Sequence, residues 1–438
     1  MNHSDSERIA SVLESAGYKA TPKINGADLV VVNMCSVRQS AVDRVFGVGQ
    51  KLVKLKTLNP KPKTVLTGCI LAKDKKRLAG SFDFILDIKY LQKWPKILDS
   101  STPVLFSGRE LLEESDYLKT QPKYSNNFSA LVPIMTGCNN FCAFCVVPYV
   151  KGREISRPAK EIICEVENLV KRGFKEIWLL GQNVNSYKGE NGINFPKLLE
   201  MVNDIPGNFW IRFTSSHPKP STRAKLGAGL VPHRNKVSGA GDFSWDELIK
   251  AMAECEKVTE YLNLPIQAGD NAILKKMNRP YTVAHYKNLI KKIRKQIPDI
   301  TLSTDVIAGF PSETEKQFQN TVKVFKEIKF DMAYIAEYSP RAQTAAAKLE
   351  DDVPKKEKKR RWIILNEILK KTALEKNKKY IGKEVEALID TKKSTNEWVG
   401  KTRSYKTIFI NSKKNLLGKS IRTKIVSASP WGLKGKLL

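Results

Sequence analysis

A chain of 438 residues, 41% of them hydrophobic, is long enough to bury full-sized cores and to divide into two or three domains. Its net charge of +30 predicts an electropositive surface and a polyanionic partner, RNA or DNA before anionic lipid, an inference tempered by the excess of lysine over arginine. A polar, acidic opening, no long apolar run and seven cysteines without regular pairing argue against a secretory signal, a membrane span and a disulfide framework; we expect a reducing, cytoplasmic setting with no membrane attachment.

In chain order, Ser4 to Gly17 reads as a short helix with Ser4 or Asp5 as cap and Ile9, Val12 and Leu13 on the apolar face. Ala27 to Asn33 is a nearly continuous apolar strand of the kind buried in a parallel sheet, and it runs into Cys35. A helix over 39–58 follows, then a second such strand, Thr64 to Thr67, which runs into Gly68 and Cys69, and a third at Phe84 to Asp87. Lone cysteines are usually small buried hydrophobes. Two of them at the carboxyl ends of neighbouring parallel strands occupy the ligand crevice of an α/β sheet. These elements make a first domain, 1–98, and the polar text of 99–129 reads as a linker.

The strand Ala130 to Met135 then delivers the run Gly137-Cys138-Asn139-Asn140-Phe141-Cys142-Ala143-Phe144-Cys145, a C-x3-C-x2-C pattern. Three soft thiolates hold three irons of a cubane and leave the fourth open to a small molecule. Structural zinc would want a fourth ligand, and the next cysteine is Cys164 and the nearest histidine beyond it His217. Phe141 and Phe144 would keep water off a cluster. The basic turn after the loop offers Arg153 and Arg157, either to RNA phosphate or to frame the cluster; a solvated basic loop is the plainer alternative. Alternating helices and strands continue to Ile335, which argues a β/α barrel, open or complete, over 130–375, with its chemistry at the strand ends. Those ends carry Gln182, Asn183, Ser216, His217, Gln267 and Gly309, and Asp305 lies within its strand. Residues 219–242 read as a surface insertion, and Cys164 and Cys255 as packed helix residues. A basic helix over 355–379 leads to period-two alternation in 376–438, a small β-barrel whose Arg403, Tyr405, Lys406 and Trp431 are candidates to grip an RNA backbone or stack on a base.

Taken together, MN-x-x-DSER at residue 1, NMCSVR at 33–38, TGC at 67–69, the cysteine loop, and the later LLGQNVNSY, IRFTSSHP, LNLPIQAGD and GFPSETE resemble the radical S-adenosylmethionine methylthiotransferases. The terminal IGKEVEALID and SASPWGLKG resemble the TRAM domain of tRNA-modifying enzymes. The resemblance implies an α/β methylthiotransferase domain, a partial TIM-like barrel and a TRAM-like RNA-binding barrel. It implies a [4Fe-4S] cluster on Cys138, Cys142 and Cys145 that reduces S-adenosylmethionine to generate a 5′-deoxyadenosyl radical. It also implies cofactor contacts from Gln182, Asn183, Ser216, Gln267 and Gly309, and a second, auxiliary [4Fe-4S] cluster that supplies sulfur. Cys35 and Cys69 match two of the three auxiliary ligands. The third would immediately precede Met1, so we expect the reading frame to start upstream. Met34, Ser312 and the 219–242 stretch are further departures from the family pattern. DSER, NMCSVR and GQNVNSY favour the branch that methylthiolates C2 of N6-isopentenyladenosine next to the anticodon. The sister branches, acting on threonylcarbamoyl-adenosine in tRNA or on a ribosomal-protein aspartate, stay open, as does an RNA-binding protein inactivated by the missing ligand. Implied partners are tRNA, an electron donor such as flavodoxin or ferredoxin, and the iron–sulfur assembly machinery, with the enzyme itself a monomer.

Overall fold

The computed structural model describes residues 1–37, 39–58, 62–99, 116–220 and 243–438. Most of the expected linker and of the 219–242 insertion therefore lie outside the described residues. The chain forms two compact units.

The first unit comprises Met1–Ser125, Thr136–Ile155 and Arg341–Ala347. Its sheet is parallel, in the order β1 (Leu29–Cys35), β2 (Lys63–Cys69), β3 (Phe84–Ile85). The adjacent apolar pair of β2, Val65 and Leu66, has a simple cause. Val65 packs into a layer with Ile9, Leu13, Phe84 and Trp94, while Leu66 packs into the opposite layer with Met34, Val42, Leu52 and Phe82. Both faces of the strand are covered, so apolar side chains stand on both. The first helix, α1, spans Asn2–Ser15 and starts before the expected caps. Ser4 and Asp5 are instead buried within it, where the Ser4 Oγ accepts a hydrogen bond from Arg8 at 2.5 Å and Asp5 pairs with Lys151.

The second unit comprises Asn126–Met135, Ser156–Pro340 and Lys348–Leu438. The strands Ser129–Pro133, Glu176–Leu180 and Trp210–Phe213 form one parallel sheet, and Tyr261–Asn263, Thr301–Ala308 and Met332–Glu337 a second. A parallel bridge from Ile211 to Val258 joins them, so the strands run as an arc in sequence order with amphipathic helices between. After the helix Lys355–Lys378, five strands close a small barrel: Glu384–Lys392, Glu397–Thr402, Thr407–Asn411, Gly432–Leu437 and Ser420–Ser429. Sequence reading missed the strand Gly432–Leu437 because glycines look like turn signals. The reason for one of them is tertiary: a Cβ on Gly435 would stand 2.3 Å from the Thr423 hydroxyl on the neighbouring strand.

Candidate functional site

In the first unit, β1 and β2 both end on cysteine, with Cys35 opposite Cys69 in the register. Gly68, at φ +96°, makes this closure possible, since a Cβ there would lie 2.3 Å from Asn33 Oδ1 and 2.4 Å from the Met34 carbonyl. Burial pushes the Cys69 thiol up to about 11, and the Lys151 ammonium opposes that shift. Lys151 Nζ donates to Asp5 Oδ2 at 2.9 Å, and both side chains are almost wholly buried.

The three-cysteine loop belongs to the same unit. Gly137 sits at φ +80°, where a Cβ would be driven to 1.9 Å from the Arg153 carbonyl oxygen, so the two ends of the loop lie against each other. The Cys138 N–H donates to the Gly152 carbonyl at 3.2 Å, and the Cys145 N–H to the Cys142 carbonyl at 2.9 Å. Phe141 takes the left-handed conformation, φ +47°, with its ring under the Arg153 guanidinium at 4.6 Å. Burial pushes the Cys138 thiol up to about 12, with Glu154, Cys142 and Cys145 adding to the rise. Among the described residues no three His, Cys, Asp or Glu side chains converge on a single ion. A cubane asks for something else, one thiolate per iron, and a coordinating thiol is deprotonated outright by the metal. Soft donors on a glycine-pinned, half-buried loop fit such a cluster.

In the second unit, the loops at the carboxyl ends of the strands collect buried polar atoms. Gln182 Oε1, Asn183 Oδ1, Asn185 Nδ2, Ser216 Oγ and both ring nitrogens of His217 have no hydrogen-bond partner among the described residues. Buried polar atoms are nearly always satisfied, so this concentration at one end of the strand arc fits a polar ligand such as a nucleoside-bearing amino acid. Asn185 Oδ1 accepts the His217 N–H at 3.2 Å and ties two of these loops together. His217 stands edge-on to Tyr281, and burial, reinforced by Arg279 and Lys219, holds its imidazole well below the usual histidine range, so it is neutral. Gln267, at φ +71°, is braced through its backbone by Asp305 and Ile307. Asn185 was not singled out from sequence; only its place in the GQNVNSY run pointed toward it.

Other expected positions are used differently. The Gly309 N–H already donates to Glu313 Oε2 at 2.8 Å, a carboxylate that Arg361 also holds at 2.9 Å, so its N–H is spent within the turn. Arg157 does not reach outward to phosphate: it is buried, bonded to Glu165 at 2.7 Å and to the Pro133 carbonyl at 2.9 Å. Lys406 is buried against Asp331 at 2.6 Å. Arg403 bonds Glu260 at 2.8 Å and the carbonyls of Val258 and Glu256. Lys406 and Arg403 fasten the terminal barrel to the strand arc, and Arg157 is engaged within the arc unit itself. Arg153 and Trp431 remain exposed. Cys164, expected in the core, is exposed, whereas Cys255 is buried.

Family models match along the chain: "Uncharacterized protein family UPF0004" over residues 1–87, "Radical SAM superfamily" over 132–325 and "TRAM domain" over 378–438. Fold and site thus define a radical S-adenosylmethionine protein, flanked by a UPF0004 domain and a TRAM barrel. Its relatives include the tRNA-2-methylthio-N(6)-dimethylallyladenosine synthases of Acetivibrio thermocellus, 39% identical over 459 residues, and of Clostridium novyi, 41% identical over 452 residues. The alignments take in 100% of this chain and 89% and 94% of those proteins. The chain belongs to the tRNA-2-methylthio-N(6)-dimethylallyladenosine synthase family. Among solved structures, the radical S-adenosylmethionine methyltransferase TsrM from Kitasatospora setae is similar at a TM-score of 0.49 and 14% identity, covering 77% of this chain and 66% of that one.

Proposed function

We propose that this chain adds a methylthio group to C2 of N6-isopentenyladenosine next to the anticodon of tRNA. The observation that carries the reading is the glycine-pinned Cys138-Cys142-Cys145 loop in a chain about 40% identical, along its whole length, to synthases named for that product. Cys138, Cys142 and Cys145 would hold a [4Fe-4S] cluster with one open iron, and Cys35 and Cys69 would be ligands of an auxiliary one. Such clusters, when bound, supply the electron that cleaves S-adenosylmethionine and the sulfur to be transferred. The chain's own side chains bind and orient. Gln182, Asn183, Asn185, Ser216 and Gln267 offer hydrogen bonds at the strand ends, and neutral His217 adds a donor and an acceptor without a charge. Gly309 contributes the turn that shapes its loop. An aromatic C–H at C2 has no acidic proton, and general-base chemistry would have no purchase on it. The electron comes from a small donor such as flavodoxin or ferredoxin, the clusters from the iron–sulfur assembly machinery, and the enzyme works as a cytoplasmic monomer.

The test is anaerobic reconstitution of the full chain with iron and sulfide, followed by incubation with a reductant, S-adenosylmethionine and tRNA carrying isopentenyladenosine. Nucleoside mass spectrometry should show one SCH3 in place of one hydrogen, and Cys138→Ala should abolish it together with the iron held by that loop. Methylthiolation of threonylcarbamoyl-adenosine instead, or no product from a protein that carries both clusters, would overturn the assignment.

A further inference from the structure

Between the strand arc and the terminal barrel, both within the second unit, lies a cleft of ≈ 110 Å³ that the cofactor-binding loops do not use. Its lining includes Tyr334 and Trp431, which are 44% and 41% exposed, and Tyr261 and Tyr405, whose rings meet tilted by 38° at 4.5 Å. Lys401 also lines it, with its ammonium bonded to the Thr407 hydroxyl at 2.7 Å. Thr301 and the buried ion pair of Asp331 with Lys406, 2.6 Å apart, line it too, and one further polar group is unusual. Asn377 is 3% exposed, and its Nδ2 donates to the carbonyls of Ser429 at 2.9 Å and Pro430 at 3.2 Å. Those two bonds fix the amide's orientation, and they leave Oδ1 as a buried acceptor with no partner among the described residues.

Large aromatic rings left in water beside a cation suit a flat, electron-rich ligand attached to an anion, and a buried lone acceptor suits one that brings an N–H. A single unpaired nucleobase has all of these properties, and the ≈ 110 Å³ space is comparable with one base. A tryptophan or histidine side chain would supply an N–H and a π face without the anion, and a phospholipid the anion without the π face. We propose that this cleft is a binding subsite for one unpaired RNA base, stacked on Trp431 and Tyr334 and bonded by an N–H to Asn377 Oδ1. The proposal rests on RNA being the partner and adds a place where a nucleotide other than the modified one is held.

The experiment measures binding of a labelled RNA stem-loop, and of a blunt RNA duplex of equal charge, to the full chain and to Trp431→Ala, Trp431→Phe and Tyr334→Ala. These side chains are substantially exposed, so the variants should fold. Each alanine variant should weaken stem-loop binding about fivefold or more, the lower end of base–aromatic stacking. Trp431→Phe should restore most of the loss, and duplex binding should not change. Stem-loop binding by both alanine variants at wild-type strength would remove the subsite while leaving the RNA reading intact. Equal losses for loop and duplex would show backbone contact in place of stacking. A wild-type chain that binds neither RNA would overturn the subsite and the RNA reading together.

Discussion

Lys151 lies six positions after the last cysteine of the three-cysteine loop, and its ammonium is paired with a carboxylate 146 residues away in sequence. Burial lowers the affinity of this lysine for its proton, but Asp5, with smaller help from Tyr117 and Cys69, outweighs that and raises it above the ordinary value. The sign follows from the direction. The lysine's contribution is present in full below the unfolded lysine value of about 10.4 and is lost as pH rises through the higher folded one. Removing one member of a buried pair strands the other charge, at about 3–5 kcal/mol. Lys151→Met should therefore destabilise the first unit by roughly that amount at neutral pH, read as a lowered urea midpoint. Replacing Asp5 with leucine in the same chain should recover part of it. A single-variant loss below about 1 kcal/mol would mean that water reaches the pair and screens it. Sequence reading made Asp5 a helix cap because capping is a local signal. A partner so distant in the chain leaves no local trace.

The hairpin Glu397–Thr402 to Thr407–Asn411 shows the same limit at the scale of an element. Its turn meets Arg212, which is fully buried in a central strand and bonds Glu176 at 2.5 Å and the carbonyls of Thr402 and Arg403 at 2.8 Å each. Tyr405, at φ +62°, places its ring against Trp178 and Tyr261. Composition marked this turn as an RNA contact because it holds Arg403, Tyr405 and Lys406; the fold uses all three to dock the terminal barrel on the arc. Arg212→Ala strands Glu176 and frees two carbonyls, so it should raise hydrogen exchange across residues 397–411 far more than Lys406→Met, after which Asp331 still keeps Lys376 at 2.6 Å. Acid should act on the same joint. Burial pushes the Asp331 carboxyl up, but Lys406 and Lys376 outweigh it and hold it below the usual carboxylate value. Its stabilisation is thus present above the unfolded aspartate value near ~3.9 and lost as pH falls through the lower folded one. Exchange protection of the hairpin should hold down to about pH 4 and fall below it. Protection indifferent to acid would assign the docking to the Arg212–carbonyl bonds and the aromatic contacts.

At the scale of the whole molecule, the net charge of +30 makes a prediction that no single contact does. If six or more phosphates are neutralised, tRNA affinity should drop roughly a thousandfold or more between about 50 and about 200 mM salt; a flat dependence would place recognition in stacking and hydrogen bonds. No helix among the described residues is long and apolar enough to cross a membrane. The sequence by itself determined the periodicities that became the parallel strands, their amphipathic helices and the terminal barrel, and it determined the spacing of the three-cysteine loop. Both are properties of near neighbours: side-chain alternation, helical repeat and the reach of a short loop. Only the tertiary structure decided which charges are free. Arg157, Arg403, Lys406 and Lys151 look alike in a basic sequence, and each is bonded to a carboxylate or carbonyl brought in by another element. It also decided where buried polar atoms are left without a hydrogen-bond partner among the described residues, at Asn185, Ser216, His217 and Asn377, because an unsatisfied buried group is defined by everything packed around it.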